Sequence, residues 1–234
     1  MNERSAVYQF LARKTGLDPA LTLEIDVGLP GGRKVGAVRV GERLDVPGYG
    51  AVHFVVDKTS WPVVTVPEGL EHTGTRSVPL FDPKLSAAPV SATEYWERTA
   101  MIAAQVAVFD GRFQWAGGRE NGWLPIVETV VDTIVAVLGP RDVVTMTCQR
   151  TFGMLGVWIR AECRDLDVGK YVADLGAWAE ATASGRCMVS GKSGWRGRLN
   201  DEDPWEYTLS DSVRELPDPL APERVYPCPS GRRS

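Results

Sequence analysis

One stretch of the chain combines a cysteine, four glycines, a lysine and a tryptophan, as several kinds of small binding site do. It reads ASGRCMVSGKSGWRGR and covers residues 183 to 198. Cys187 is followed three residues later by Ser190, at the spacing where a zinc ribbon carries a second cysteine. The stretch therefore raises three interpretations: a metal knuckle, a phosphate-binding loop and a simple β-hairpin.

The cysteine content argues against a structural zinc ion. The four cysteines stand at positions 148, 163, 187 and 228, so no two of them are spaced as CxxC. Structural zinc requires thiolate or imidazole ligands, and a serine hydroxyl keeps its proton at neutral pH. No histidine follows His72. We therefore expect no metal and no cofactor, and we expect Trp195 and Trp205 to hold the hairpin closed by packing.

The segment Gly191-Lys192-Ser193 matches the end of a phosphate-binding loop, but its surroundings do not. The leading glycine of that motif should stand at position 186, which is Arg186. The element predicted before it is a helix, whereas the mechanism requires a strand, a glycine-rich loop and then the N-terminus of a helix. Nucleotide binding is therefore not expected.

Basic side chains give the same hairpin a second chemistry. They are Arg186, Lys192, Arg196 and Arg198, with Trp195 among them. Such a hairpin can neutralise phosphates and stack a base. The acidic run at 201–203 follows directly and can neutralise the patch. Nucleic-acid binding by the 186–198 hairpin is therefore an alternative function.

The loop WAGGRENGW, residues 115–123, holds three glycines and two tryptophans. This composition is typical of backbone that packs closely against another surface. It predicts either a recognition surface containing Trp115, Arg119 and Trp123, or close docking of the following helix on a sheet. The second interpretation is favoured.

Residues suited to acid-base or nucleophilic chemistry are scattered. His53 lies on a predicted strand, His72 lies in a predicted linker, and no G-x-S-x-G motif accompanies them. Glu24 and Asp26 share one face of a predicted strand, which could serve metal binding but also suits any half-exposed strand. No catalytic residue is assigned, and a hydrolase remains the third-ranked function.

Composition bounds the class of protein. The chain has 234 residues, is 44% hydrophobic and 24% charged, and carries a formal net charge of −4. These values are ordinary for a soluble protein with a real core, and they argue against one that coats nucleic acid non-specifically. No apolar run approaches the length of a membrane span, and the charged N-terminus does not resemble a secretion signal. We expect reduced thiols and a location in the cytoplasm of a bacterial host, or in a virion.

Turn and periodicity signals predict an α+β protein in four segments. Residues 1–68 are predicted to form a helix packed against a small antiparallel sheet or open barrel. Residues 69–90, rich in proline and glycine, are predicted to be an extended linker. Residues 91–213 begin with a capping box and are predicted to be an α+β module that includes the hairpin. Residues 214–234 are proline-rich and are predicted to be a trailing arm.

A series of motifs follows in order along residues 117 to 213. They are Gly122-Trp123, then QRTFGML at 149–155, then Cys187-Met188-Val189-Ser190-Gly191, and finally Trp205 with TLSD at 208–211. In this order and spacing the chain resembles uncharacterised bacterial and phage proteins with a zinc-ribbon-like C-terminal module, whose pattern runs GW, FGxL, CxxCG and TLCD. The resemblance implies their fold and a phage or bacterial origin, but no activity. Three positions that the pattern gives to zinc ligands are occupied here by Ser190, Ser210, and Ser212 or Val213.

These observations favour a non-enzymatic binding or structural protein, encoded by a phage or mobile element. It would act through protein contacts made by the hairpin, the glycine-tryptophan loop and the C-terminal arm, and its partner would be a viral or host protein. The alternative is a nucleic-acid-binding accessory protein that uses the 186–198 hairpin. The oligomeric state is not predicted.

Overall fold

A computed structural model describes residues 4–57, 59, 61–109, 111–115, 121–139 and 142–220 of the chain. Helix and strand occur in nearly equal amounts, 32% and 33%, which confirms the α+β class. Tertiary contacts divide the chain into two compact units. The smaller unit is Ala20–Leu80, and the larger combines Met1–Pro19 with Phe81–Ser234.

Six strands in two sheets make up the smaller unit. They are β1 (Leu21–Gly28), β2 (Lys34–Arg39), β3 (Arg43–Val46), β4 (Gly50–Val56), β5 (Pro62–Thr65) and β6 (Glu71–Pro79). β1 pairs with β2 and β6, and β4 pairs with β3 and β5, all in antiparallel register. Alternate apolar residues of these strands, such as Ile25, Val27 and Phe54, form a core of their own.

Strand β6 lies within residues 69–90, where the sequence predicted a linker. That prediction is wrong for residues 71–79, which pair with the whole length of β1. The strand escaped prediction because most of its side chains are polar and exposed, so it lacks the apolar alternation that marks a strand.

Five α-helices, one short 3-10 helix (Asn121–Trp123) and five strands make up the described part of the larger unit. The helices are α1 (Ala6–Thr15), α2 (Ala92–Ala107), α3 (Leu124–Val137), α4 (Leu166–Ser184) and α5 (Asp211–Arg214). The strands are β7 (Arg112–Trp115), β8 (Val143–Thr151), β9 (Met154–Glu162), β10 (Trp195–Gly197) and β11 (Tyr207–Leu209). β8 lies between β7, which runs parallel to it, and β9, which runs antiparallel. β10 and β11 form a two-stranded hairpin within residues 186–213, called the ribbon below.

Helix α1 belongs to the larger unit, which corrects the expectation that it covers the N-terminal sheet. The hydroxyl of Tyr8 donates to Asp174 of α4 at 2.9 Å, and Tyr8 stacks edge-on against Tyr171 of the same helix. Ser5 caps the start of the helix by accepting a hydrogen bond from the Tyr8 amide, and Gly16 ends the helix at φ +69°.

The sheet of the larger unit is covered on one face and open on the other. Side chains at 144, 146 and 148 of β8 and at 155 and 157 of β9 are buried in the main core. The alternate positions, among them Thr145, Gln149, Trp158 and Arg160, are exposed.

Within the described residues, no helix is both long enough and apolar enough to cross a bilayer.

Candidate functional site

The turn that begins the ribbon, residues 186–193, is called the knuckle and is closed by backbone hydrogen bonds around Cys187. The amide of Gly191 donates to the carbonyl of Cys187 at 2.8 Å, and Gly191 adopts φ +69°, which favours glycine. The amide of Ser190 approaches the Sγ of Cys187 at 3.3 Å. An isolated bridge between Arg186 and Ser193 closes the turn.

Serine hydroxyls occupy the other corners of this knuckle. The Oγ atoms of Ser190 and Ser210 lie 3.4 Å apart, and those of Ser210 and Ser212 lie 3.2 Å apart. No group of three histidine, cysteine or carboxylate side chains suited to a metal ion occurs in the part of the chain that the structure describes. Three hydroxyls and one thiol therefore meet where the sequence pattern would place zinc ligands.

Cys187 lies in a pocket of hydrogen-bond donors. Burial acts to raise the pKa of its thiol, but hydrogen bonds from Ser190 and from the backbone of Ser210 and Val189 favour the thiolate. The net effect lowers the pKa of Cys187 below its ordinary value. The side chain itself is fully buried, so these donors hold the knuckle together and do not create an accessible nucleophile.

The expectation that Trp195 and Trp205 hold the ribbon by packing is wrong, since both are more than half exposed. The buried residues are instead smaller: Cys187, Met188, Val189, Tyr207, Leu209 and Val213. They join the main hydrophobic core of the larger unit.

The Gly122-Trp123 pair anchors the ribbon from outside. The amide of Gly122 donates to the carbonyl of Met188 at 2.8 Å, and the indole Nε1 of Trp123 donates to the carbonyl of Arg186 at 2.8 Å. Trp123 is fully buried, which corrects its assignment as a binding residue. The close-docking interpretation of this loop therefore fits better, although the docking is on the ribbon and not on a sheet.

Two further loop residues were proposed for binding. Trp115 lies at the end of β7, is half-buried, and its indole donates to the hydroxyl of Tyr95. Arg119 lies outside the described residues.

Much of the predicted basic patch is neutralised within the unit. Arg186 pairs with Asp82 at 3.0 Å, and Arg196 pairs with Glu206 at 2.7 Å. Lys192 and Arg198 are exposed and make no ion pair with a described residue. Lys192 leads into β10 and not into a helix, so the geometry of a phosphate-binding loop is missing.

Trp195 is also partly occupied. The guanidinium of Arg214 lies 3.7 Å from the centre of its ring, and its indole Nε1 donates to Asp211 at 2.7 Å. One face of the ring is therefore already covered by a cation, which leaves less of it for stacking on a base.

An exposed aromatic turn joins β8 to β9, and the sequence reasoning did not select it. Phe152 and Gly153 are its two central residues, with φ of +50° and +75°. The carbonyl of Gly153 accepts from Thr208 Oγ1 at 2.7 Å, and a Cβ at Gly153 would lie 2.6 Å from the carbonyl oxygen of Glu206. The turn therefore packs directly on β11.

Four exposed side chains adjoin this contact, along the chain or, for Arg196, through its ion pair with Glu206, and we call them the tip surface: Phe152, Met154, Arg196 and Trp205. Phe152 is 70% exposed and Trp205 is 57% exposed. Phe152 directly precedes Gly153 in the chain and Trp205 directly precedes Glu206, and Gly153 and Glu206 are in close contact. The Nη1 of Arg196 lies 3.2 Å from the Sδ of Met154, so the cation covers part of the thioether.

Three of the residues considered for catalysis, Glu24, Asp26 and His72, have structural partners. Glu24 lies between Arg39 and Arg76 on the neighbouring strands, at 3.2 and 2.5 Å, and is largely buried. Asp26 pairs with Lys34 at 2.6 Å. The Nε2 of His72 lies 2.8 Å from the hydroxyl of Thr75. These carboxylates stabilise the small sheet through cross-strand pairs.

No protein-family model, curated protein or solved structure matches the chain. The resemblance to zinc-ribbon-like phage and bacterial proteins stays a prediction that depends on its motifs.

Proposed function

We propose that this is a non-enzymatic binding protein that contacts a partner protein through the tip surface. The observation that carries the proposal is the combination of an unfavourable backbone and an exposed aromatic side chain at Phe152. Neither property helps the chain to fold, so both favour a role outside folding.

The backbone at Phe152 has a definite cost. A two-residue hairpin turn with positive φ at both central positions is best served by Asn-Gly or Asp-Gly. Phenylalanine at φ +50° costs roughly 1–2 kcal/mol relative to the right-handed region. With 70% of its surface exposed, the ring recovers little of this by burial.

The neighbours of Phe152 have the composition of an interface centre. Tryptophan, methionine and arginine are enriched where protein interfaces gain most of their binding energy. The ion pair between Arg196 and Glu206 fixes the guanidinium beside Met154, so part of the surface is ordered before a partner arrives. Exposed aromatic side chains beside a supported turn are a frequent mark of a protein contact.

The nucleic-acid interpretation of the 186–198 hairpin has weaker support. Arg186 and Arg196 already have acidic partners, and Arg214 covers one face of Trp195. The hairpin therefore offers fewer free cations than its sequence indicates.

The test compares Phe152→Asn with Phe10→Asn. Phe10 is also exposed, at 58%, and lies on α1 of the same unit, so it is a matched control for loss of a surface aromatic ring. Tagged variants are expressed in the cells that make the protein, and a captured protein is then purified and mixed with each variant for size-exclusion chromatography and calorimetry.

We expect a stoichiometric complex with the wild type and Phe10→Asn, and at least a tenfold weaker complex with Phe152→Asn, as for an interface anchor worth about 2 kcal/mol. Phe152→Asn should also be as stable as the wild type or more stable, because asparagine tolerates the turn. The proposal fails if Phe152→Asn binds like the wild type, or if no captured protein forms a stoichiometric complex.

A further inference from the structure

The open face of the β7–β8–β9 sheet has a regular arrangement of aromatic, amide, hydroxyl and guanidinium groups. The pairing register places Gln114, Thr147 and Trp158 in one row across the three strands. The next row contains Arg112, Thr145 and Arg160. All of these except Thr147 are exposed. This set of six residues is called the open face below.

Trp158 is the aromatic centre of the open face. A Cβ at Gly156 would lie 2.6 Å from Cη2 and 3.2 Å from Cζ2 of the Trp158 ring. The indole therefore leans back along β9 and covers the position where Gly156 has no side chain. With 49% of its surface exposed, the ring lies along the sheet and keeps a π-face available to solvent.

The charges on the open face are predominantly positive. Arg112 makes no ion pair with a described residue. Arg160 pairs, among the described residues, only with Glu162, two positions along the same strand, at 3.1 Å. Both side chains of that pair are highly exposed, so the pair contributes little to stability and Arg160 can exchange Glu162 for another anion. Across three strands the two arginines stand roughly 10 Å apart at their Cα atoms, on either side of Thr145.

We propose that the open face binds single-stranded nucleic acid. An aromatic ring on a sheet stacks an unpaired base without sequence preference, and guanidinium groups beside it neutralise the phosphates. The amide of Gln114 and the hydroxyls of Thr145 and Thr147 supply donors and acceptors for base edges or for a 2′-hydroxyl. An apolar peptide or an uncharged polysaccharide has no charge to match the two arginines, so an anionic polymer fits the open face better.

This site goes beyond the proposed protein contact and differs from the basic hairpin. It uses none of the residues of the tip surface, and it does not require Lys192 or Arg198. A nucleic-acid site and a protein site on one unit would suit an accessory protein that brings a partner to single strands.

The test measures fluorescence anisotropy of a labelled single-stranded oligonucleotide, as DNA and as RNA, at several salt concentrations. Trp158→Ala should weaken binding by about 5- to 150-fold, the range found when a stacking aromatic residue is removed. Trp158→Phe should restore most of the affinity, since it retains a ring, which separates stacking from any effect on folding. Arg112→Ala should lower the slope of log affinity against log salt by about 0.7, as expected for one phosphate contact to a single strand.

Matched controls use the exposed cations of the ribbon. Lys192→Ala and Arg198→Ala should leave affinity nearly unchanged. The proposal is overturned if the wild type binds neither single strand at low salt, if duplex binds as tightly, or if the ribbon variants lose binding while Trp158→Ala keeps it. Binding of an uncharged polysaccharide with the same dependence on Trp158 would overturn it as well. Phe152→Asn should not affect these measurements, so failure here is distinguishable from failure of the protein contact.

Discussion

Replacing Gly122 with alanine tests whether backbone docking holds the ribbon closed. A Cβ at this position would lie 2.3 Å from the carbonyl oxygen of Cys187 and 2.4 Å from the amide nitrogen of Gly191. It would also lie 2.9 Å from the carbonyl carbon of Met188. All three are backbone atoms, so no side chain can rotate to make room.

The size of the effect follows from these distances. Ordinary contact begins at 3.4 Å, so the closest pair of atoms must separate by about 1 Å. Overpacking of this kind costs about 1–3 kcal/mol. The displacement also breaks the hydrogen bond from Gly122 to Met188 and the one from Asn121 to Val189, each worth about 1 kcal/mol. We expect a total loss of about 3–5 kcal/mol, or roughly 10 °C in the melting temperature of a unit of this size.

Urea denaturation followed by tryptophan fluorescence is a suitable assay. The chain has eight tryptophans, and only Trp61 falls within Ala20–Leu80, so the signal reports mainly on the larger unit. Gly185→Ala is the matched control, because a Cβ there meets nothing within 4 Å and its φ is −103°. Gly185→Ala should differ from the wild type by less than about 1 kcal/mol. If Gly122→Ala unfolds at the same urea concentration as Gly185→Ala, then the ribbon is not held by this contact.

Further predictions concern single features of the two units. Burial raises the pKa of Cys148 to about 12. Below the ordinary thiol pKa, this cysteine is protonated in both the folded and the unfolded chain, so its titration does not reduce the free energy of unfolding. Above that pH the unfolded chain loses a proton that the folded chain keeps. Unfolding should become easier by about 1.4 kcal/mol per pH unit above pH 9, and urea titrations at pH 8 and 10.5 should show a smaller decrease for Cys148→Ala. The triple variant Ser190→Cys/Ser210→Cys/Ser212→Cys should bind one Co²⁺ per chain with the absorption of a tetrahedral thiolate site. Absence of that spectrum would mean that these three side chains and Cys187 do not converge on one point. Glu24→Gln should destabilise the smaller unit by about 2 kcal/mol, because the hydrogen bonds from Arg39 and Arg76 lose their charged acceptor. Hydrogen exchange of the β1 amides measures this loss. Unchanged exchange would show that these ion pairs are not stabilising.

Local signals predicted the helices well. Ser91 caps α2 and accepts from the amide of Glu94, as the capping box predicts, and Gly16 ends α1 in the left-handed region. The strands β6 and β7 were missed for different reasons. β6 is polar along most of its length, and β7 has only four residues, so neither produces a period that a sequence pattern can show.

The packing partner of each element was harder to predict. The sequence placed α1 on the nearest sheet, whereas its buried residues Tyr8 and Leu11 contact a core formed about 150 residues later. Val7 and Phe10 of the same helix are exposed. A short amphipathic helix has several apolar side chains in reach of one face, and only tertiary contacts decide which of them are buried.

The candidate site shows the same limit. The resemblance to zinc-ribbon-like proteins implied that Ser190 and Ser210 occupy positions of one ligand set, and the structure brings their Oγ atoms to 3.4 Å. The sequence could not show that Trp123 is buried and that Trp205 is exposed, because a tryptophan beside glycine suits either role. The sequence did contain a signal for the turn at Phe152. Two residues ending in glycine between two strands predict a tight hairpin, and phenylalanine at the first of these two positions departs from the usual asparagine.

Hydrogen bonds connect the ribbon to the turn that carries Phe152, so the variants Gly122→Ala and Phe152→Asn are informative when they are compared. Thr208 of β11 holds Gly153 of the tip, and Met188 of the ribbon holds both Gly122 and β11 through its backbone. Displacing the ribbon with Gly122→Ala should therefore weaken partner binding and stability together. Phe152→Asn should weaken binding alone, because it changes the contact surface and leaves the support in place. If Gly122→Ala lost several kcal/mol of stability but bound the partner with full affinity, then Arg196 and Trp205, which belong to both the ribbon and the tip surface, would not take part in the contact. The contact would then have to be sought elsewhere on the unit.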